Sequence, residues 1–166
     1  INLEGITTVQ QEIIDEVGGK AKAVLLDVTN YADVEKFINN VIVEHGTIDI
    51  LVNNAGILKR NSALETITDE EWDLVMSVNV KGVFNCTKAV LPKMKEQKYG
   101  KIANLSSTAG RSTSELGGAH YTTSKAAVIG LTRHTAREAA PYNINVNTIC
   151  PSLIDTPMIR ETTQPK

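Results

Sequence analysis

Ile48-Asp49-Ile50-Leu51-Val52-Asn53-Asn54-Ala55-Gly56 is a short apolar run that breaks off into two amides, an alanine and a glycine. Its length and flanks predict a strand over 48–52 that ends in a tight loop. Three other stretches share this form. Residues 22–26 are apolar and end at Asp27, residues 101–106 end at Ser106-Ser107, and residues 144–149 lead into Pro151-Ser152. Helical patterns lie between them. Leu3 to Val17 reads as a helix with Asn2 as its candidate N-cap and Gly18-Gly19 as its stop. Asn30 caps a second, in which Val34, Phe37, Ile38, Val41 and Ile42 line one buried face before Gly46 closes it. Thr68-Asp69-Glu70-Glu71 is a capping box, opening a helix that runs through Trp72, Met76, Asn79, Val83 and Phe84 to about residue 95. Pro92 lies near the end of that helix, where a kink is expected. A last long helix is predicted over 121–139, and the chain reads as irregular from Pro151.

Strands alternating with helices predict an α/β fold, a Rossmann-like doubly wound parallel sheet with helices on both faces. Such sheets bind ligands beyond the carboxyl ends of their strands. Asp27, the loop 53–56, Ser106-Ser107 and Pro151-Ser152 all fall at those ends, so four candidates converge on one edge. The 166 residues have the size of one domain, with no internal repeat or linker. Seventeen Lys and Arg nearly balance nineteen Asp and Glu, which gives no basic stripe and argues against a nucleic-acid partner. No apolar run approaches the roughly 18 residues of a membrane span, and Ile1-Asn2-Leu3-Glu4-Gly5 lacks the features of a signal peptide. Cys86 and Cys150 are far apart in apolar segments and read as buried free thiols, which places the protein in a reducing, cytoplasmic compartment. His45, His120 and His134 lack the spacing and company of a metal site, so no metal is assigned.

The chemistry concentrates at Tyr121-Thr122-Thr123-Ser124-Lys125. Four-residue spacing on a helix puts the phenol and the ammonium on one face. A phenol ionises at about pH 10, too high for a base in neutral solution. A fixed positive charge nearby favours the phenolate and lowers that pKa. A serine hydroxyl at 106 or 107 adds a neutral hydrogen-bond donor. Together these suit the movement of a proton on an alcohol or carbonyl.

Read in order, Leu26-Asp27-Val28, Asn53-Asn54-Ala55-Gly56, Asn79, Ser107, Tyr121-x-x-x-Lys125 and Pro151 to Thr156 closely resemble the short-chain dehydrogenase/reductase family over essentially the whole chain. The resemblance implies an NAD(P)-dependent interconversion of a secondary alcohol and a ketone, with Tyr121 as acid/base. Lys125 would lower the pKa of Tyr121 and hold the nicotinamide ribose. Ser107 would hydrogen-bond the substrate oxygen, with Ser106 its rival, and Asn79 would help to hold a water in a proton relay to Lys125. Asp27 and Val28 would sit against the adenine, Asn54, Ala55 and Gly56 near the adenine-side ribose, and Pro151, Ser152, Ile154 and Thr156 around the nicotinamide. The cofactor is NAD or NADP, with NAD favoured because no Arg or Lys occurs in residues 1–5. Small alcohols, sugars, steroids and 3-oxoacyl thioesters are the implied substrate classes. A homodimer or homotetramer packed through the helices at 69–95 and 121–139 is the implied assembly.

Three features depart from the family pattern. His120 stands where a small residue is common, the loop 110–119 is longer than usual, and Ser152 replaces the usual glycine after the proline. The family's N-terminal strand with its glycine-rich turn, its second strand and its final strand have no counterpart. In a 3-2-1-4-5-6 sheet this leaves two inner edges unpaired, at about 1–3 kcal/mol for each buried backbone group without a partner. The chain is therefore expected to be a fragment, or the ordered part, of a longer protein. Two competing readings accompany the enzyme. One is a truncated, inactive chain that folds by assembly and binds dinucleotide weakly. The other is a Ser107/His120/Asp155 hydrolase, disfavoured because no Gly-x-Ser-x-Gly elbow presents the serine.

Overall fold

The computed structural model describes residues 3–60, 63–157, 159 and 160. Helix α1 spans Leu3–Val17 and α2 spans Tyr31–His45. Asn2, the expected cap of α1, lies outside the described residues. Asn30 caps α2 as predicted, its side chain accepting from the backbone N–H groups of Ala32 and Asp33. Gly46 ends it at φ 79°, a left-handed conformation that a side chain would strain.

Three strands form the sheet among the described residues: β1, Ile50–Asn53; β2, Gly100–Leu105; and β3, Ile144–Ile149. All are parallel in the order β1-β2-β3, with Asn53 opposite Asn104 and Asn104 opposite Thr148. Parallel neighbours require long crossovers, and helices supply them. The first contains α3 (Asp69–Met76), a π-helical turn (Ser77–Lys81) and α4 (Gly82–Gln97); the second contains α5 (Ala119–Ala139). Val34 and Ile38 of α2, Cys86, Val90 and Met94 of α4, Ile102 of β2, and Ile144 and Val146 of β3 form one buried cluster.

Two expectations are corrected. The run 22–26 is not a strand. A strand exists through a neighbour's hydrogen bonds, and none of the described residues offers it one. Instead Gln10 Oε1 accepts the Ala23 N–H at 2.6 Å, and Asn85 Nδ2 donates to the carbonyls of Val28 and Thr29 at 2.8 and 3.2 Å. The helix predicted over 69–95 is interrupted by the π turn and reaches Gln97, with Pro92 inside α4. Only half of the capping box forms. Thr68 Oγ1 accepts the Glu71 N–H at 3.2 Å, while the Glu71 carboxylate turns to His120.

Buried side-chain amides lock the sheet's register. Asn53 Nδ2 donates to Asn104 Oδ1 at 2.8 Å and to Thr87 Oγ1 at 3.1 Å; Asn104 Nδ2 donates to Thr132 Oγ1 at 2.9 Å. Sliding one strand by a residue would turn these amides onto the wrong face.

Candidate active site

The carboxyl ends of β1, β2 and β3 open into a cleft of about 450 Å³. The loop after β1 brings Asn54, Ala55, Gly56 and Ile57 to it, the end of β2 brings Leu105, Ser106 and Ser107, and α5 brings Tyr121 and Lys125. Pro151, Ser152, Ile154 and Thr156, beyond β3, complete its wall.

On α5 the four-residue spacing does what the helix period requires. Lys125 Nζ lies 5.6 Å from the centre of the Tyr121 ring and donates to the Leu105 carbonyl at 2.9 Å. Burial lowers the Lys125 pKa, partly opposed by the sulfur of Cys150. Burial also pushes the Tyr121 phenol above its ordinary value, while a hydrogen bond with Ser107 pulls it back down. Two influences therefore act on the phenol in opposite directions. Desolvation dominates, and the opposing influence comes from a hydroxyl.

Ser106 and Ser107 separate cleanly. Ser106 is buried and its Oγ donates to the Lys125 carbonyl at 2.7 Å, tying β2 to α5. Ser107 Oγ accepts the Ala109 N–H at 3.1 Å. Ser107 and Tyr121 both line the cleft, and the Ser107 hydroxyl draws the phenol's pKa down.

Asn79, buried in the π turn, clamps the loop after β1. Its Oδ1 accepts the Ile57 N–H at 2.8 Å, and its Nδ2 donates to the Ile57 carbonyl at 2.9 Å and to Ser124 Oγ at 3.0 Å. Both amide protons are thus committed to protein acceptors. A Cβ on Gly56 would stand 3.4 Å from Asn79 Oδ1 and 3.5 Å from Lys125 Nζ. These are ordinary contact distances, so the Gly56 backbone lies close against both the Asn79 amide and the Lys125 ammonium.

The family described as short chain dehydrogenase matches residues 1–166. The chain belongs to the short chain dehydrogenase family. It is 44% identical over 140 residues to the 3-oxoacyl-[acyl-carrier-protein] reductase FabG of Thermotoga maritima, covering 84% of this chain and 56% of that protein. It is 41% identical to the oxidoreductase UcpA of Salmonella typhimurium, covering 89% and 57%. Among solved structures, levodione reductase superposes with a TM-score of 0.93 at 32% identity, covering 98% of this chain and 63% of that one. NAD+-bound xylitol dehydrogenase gives 0.90 at 34%, covering 96% and 61%. The chain thus spans somewhat more than half the length of these relatives.

In this member of the family the expected cofactor residues Asp27 and Val28 are not among those that line the cleft. Asp27 Oδ1 accepts the Thr29 N–H at 2.9 Å and the Thr29 hydroxyl at 2.8 Å, which holds its carboxyl below the usual range. Val28 packs against the core and against α4, where a Cβ on Gly82 would approach its Cγ2 to 2.7 Å. Ser107, His120 and Asp155 do not form a triad: Asp155 holds Arg160 at 2.7 and 2.8 Å, and His120 is bonded to Glu71 and to the Tyr121 N–H. No cluster of metal-binding side chains occurs among the described residues. Among the same residues, no helix is long and apolar enough to cross a membrane.

Two residues escaped the sequence reading. Ser124 Oγ donates to the Tyr121 carbonyl at 2.7 Å while accepting from Asn79. Glu71 reaches His120 across 49 positions of sequence. Only the anomaly of a histidine beside Tyr121 signalled the second contact.

Proposed function

We propose that the protein carrying this chain is an NAD(P)-dependent oxidoreductase that interconverts a secondary alcohol and a ketone. The observation that carries this reading is that Tyr121, Ser107 and Lys125 line one cleft at the carboxyl ends of the strands. The nicotinamide, when bound, supplies or accepts the hydride. The residues present fit it, because Lys125 and the loop 54–56 border one cleft, where an ammonium can donate to the hydroxyls of a ribose. Asn54, Ala55, Gly56, Lys125, Pro151, Ser152, Ile154 and Thr156 would hold it, with Asp27 and Val28 on the adenine side.

In reduction Tyr121 gives its phenolic proton to the carbonyl oxygen, and Ser107 donates a hydrogen bond to the same atom. In oxidation Tyr121 as phenolate removes the hydroxyl proton. The ammonium of Lys125 stabilises the phenolate as it forms. Asn79 acts by fixing the loop that carries Gly56, and the proton path continues toward Lys125. The substrate classes tested first follow the relatives' names: 3-oxoacyl thioesters, polyols and cyclic diketones. The cofactor is NAD or NADP; the similar solved structures include an NAD+-bound xylitol dehydrogenase and a gluconate 5-dehydrogenase in complex with NADP.

Fluorescence titration of the full-length protein with NADH and NADPH, followed by turnover assays, tests this. Saturable binding is expected, and Tyr121→Phe should retain it while turnover falls about 10²–10⁴-fold. Absence of saturable binding would favour the competing reading, an inactive chain that folds by assembly.

The assembly belongs to the same reading. Met76, Val80, Phe84 and Leu131 line an open apolar groove between the π turn, α4 and α5, and Phe84 is 46% exposed. A homodimer or homotetramer packed there would cover it, and sedimentation as a monomer at micromolar concentration would refute this. Cys86 and Cys150 are free thiols, consistent with a cytoplasmic setting.

A further inference from the structure

The N-terminus of α5 has an unusual cap. Gly118, at the N-cap, has no side chain to offer, although the first turn of a helix leaves backbone N–H groups without partners. The ring of His120 fills the role from inside the turn. The Tyr121 N–H reaches the Gly118 carbonyl at 3.1 Å, but its shorter bond, 2.8 Å, goes to His120 Nδ1. An Nδ1 that accepts carries no proton, so Nε2 bears it and donates to Glu71 Oε1 at 3.2 Å. His120 is completely buried, and Glu71 sits in the first turn of α3. The turn before α5 is moulded to the two rings. A Cβ on Gly118 would come within 2.7 Å of the His120 ring, and one on Gly117 within 2.8 Å of the Tyr121 ring.

We infer that Glu71 and His120 form a positioning pair that holds the backbone of Tyr121 so that its phenol meets Ser107. This deepens the proposed function and rests on Tyr121 being the acid/base there. Neither residue lines the cleft, so both act through Tyr121. Glu71 fixes the ring of His120, the ring fixes the Tyr121 N–H, and that bond keeps the first turn of α5 from fraying. The turn in question carries the phenol. Without the pair, the Tyr121–Ser107 contact loosens, and the influence that pulls the phenol's pKa down weakens.

The test compares Glu71→Ala with Glu71→Gln, and His120→Ala with His120→Asn, in the full-length protein. Gln at 71 keeps an acceptor for Nε2–H without the charge. Asn at 120 keeps an acceptor for the Tyr121 N–H. Tyrosine labelled with 13C at the ζ carbon reports phenol ionisation by NMR, and Tyr121→Phe identifies the Tyr121 signal among the others. Lys125, the charged group over the ring, is common to every variant. The alanine variants should titrate Tyr121 at higher pH than wild type. Their kcat should fall about tenfold or more, with the KM for dinucleotide little changed. The Gln and Asn variants should return both readouts toward wild type. Wild-type titration and kcat in the alanine variants would overturn the inference. So would an equal loss in all four variants, together with lost dinucleotide affinity and a lowered melting temperature, because that is a fold defect. A wild-type protein without turnover, in which Glu71→Ala still shifts the Tyr121 titration and Glu71→Gln restores it, would refute the proposed activity and leave the positioning role standing.

Discussion

Strand β2 and the run 22–26 sit in opposite circumstances. Gly100–Leu105 is hydrogen-bonded on both sides, by β1 and by β3, and its side chains alternate between buried and half-buried. In the run 22–26 Val24 and Leu25 are 42% and 58% exposed, and only Leu26 packs against the core. The run 22–26 is the more apolar of the two, with four of its five residues against three of six in β2. What decides is the company: β2 has two ladder partners, and 22–26 is held by the side-chain amides of Gln10 and Asn85 at its start and just beyond its end. Apolar pattern nominates a strand, and a neighbour makes it one.

This is why the sequence was legible in some places and not in others. Helix ends with local chemistry were readable: Asn30, Gly46 and Thr68 cap where their side chains or lack of one dictate. Asn79 and Lys125 could be named from motif order, but the π turn that buries Asn79 has no local signature, since it answers to packing against α5. The pKa of Tyr121 could not be read either. Spacing says that Lys125 is near, and only the packed structure says how much water has been removed from the phenol. Likewise, nothing along the chain announces that Asn53 and Asn104 face each other across strands.

The strongest way to break the comparison is Ile102→Ala. Ile102 is 2% exposed within β2, so the change leaves a cavity and should cost about 2–5 kcal/mol in urea unfolding. A loss under about 1 kcal/mol would mean that β2 is not the tightly packed centre of the sheet.

Asn104→Leu comes next. It keeps most of the volume but removes the acceptor for Asn53 Nδ2 and the donor to Thr132 Oγ1. A buried donor left unpaired costs about 1–3 kcal/mol. Adding Asn53→Ala should then cost less than it does alone, because the unpaired group is gone. Strict additivity would show the amides to be independent.

A pH series sharpens the contrast at the buried end of β2. Lys125 has a folded-state pKa below its ordinary 10.5. Between those two values the unfolded chain holds a proton that the folded one has released, so stability rises with pH. Tyr121 has the opposite sign. Its folded-state pKa lies above 10.0, so from pH 10 upward the folded state holds the extra proton and stability falls. Unfolding midpoints of Lys125→Met should lose the alkaline rise, and those of Tyr121→Phe should lose the fall beyond it. Asp27, exposed beside the run 22–26, acts only in acid: its lowered pKa contributes stability above its ordinary 3.8 that disappears as pH drops through the folded-state value.

The smallest effect should belong to Leu25→Ser. Leu25 is 58% exposed and in no strand, so removing its side chain uncovers little new apolar surface, and the change should lie within about 0.5 kcal/mol of wild type. The same substitution would be severe in a paired strand, where a hydroxyl would be buried in place of a packed isobutyl group. Urea unfolding of this chain therefore reads the state of 22–26 directly. A near-zero change keeps the two regions distinct. A loss approaching that of Ile102→Ala would mean that residues 22–26 are covered in solution, and that the same apolar run becomes a strand as soon as a neighbour, from a longer chain or a second copy, lies alongside it.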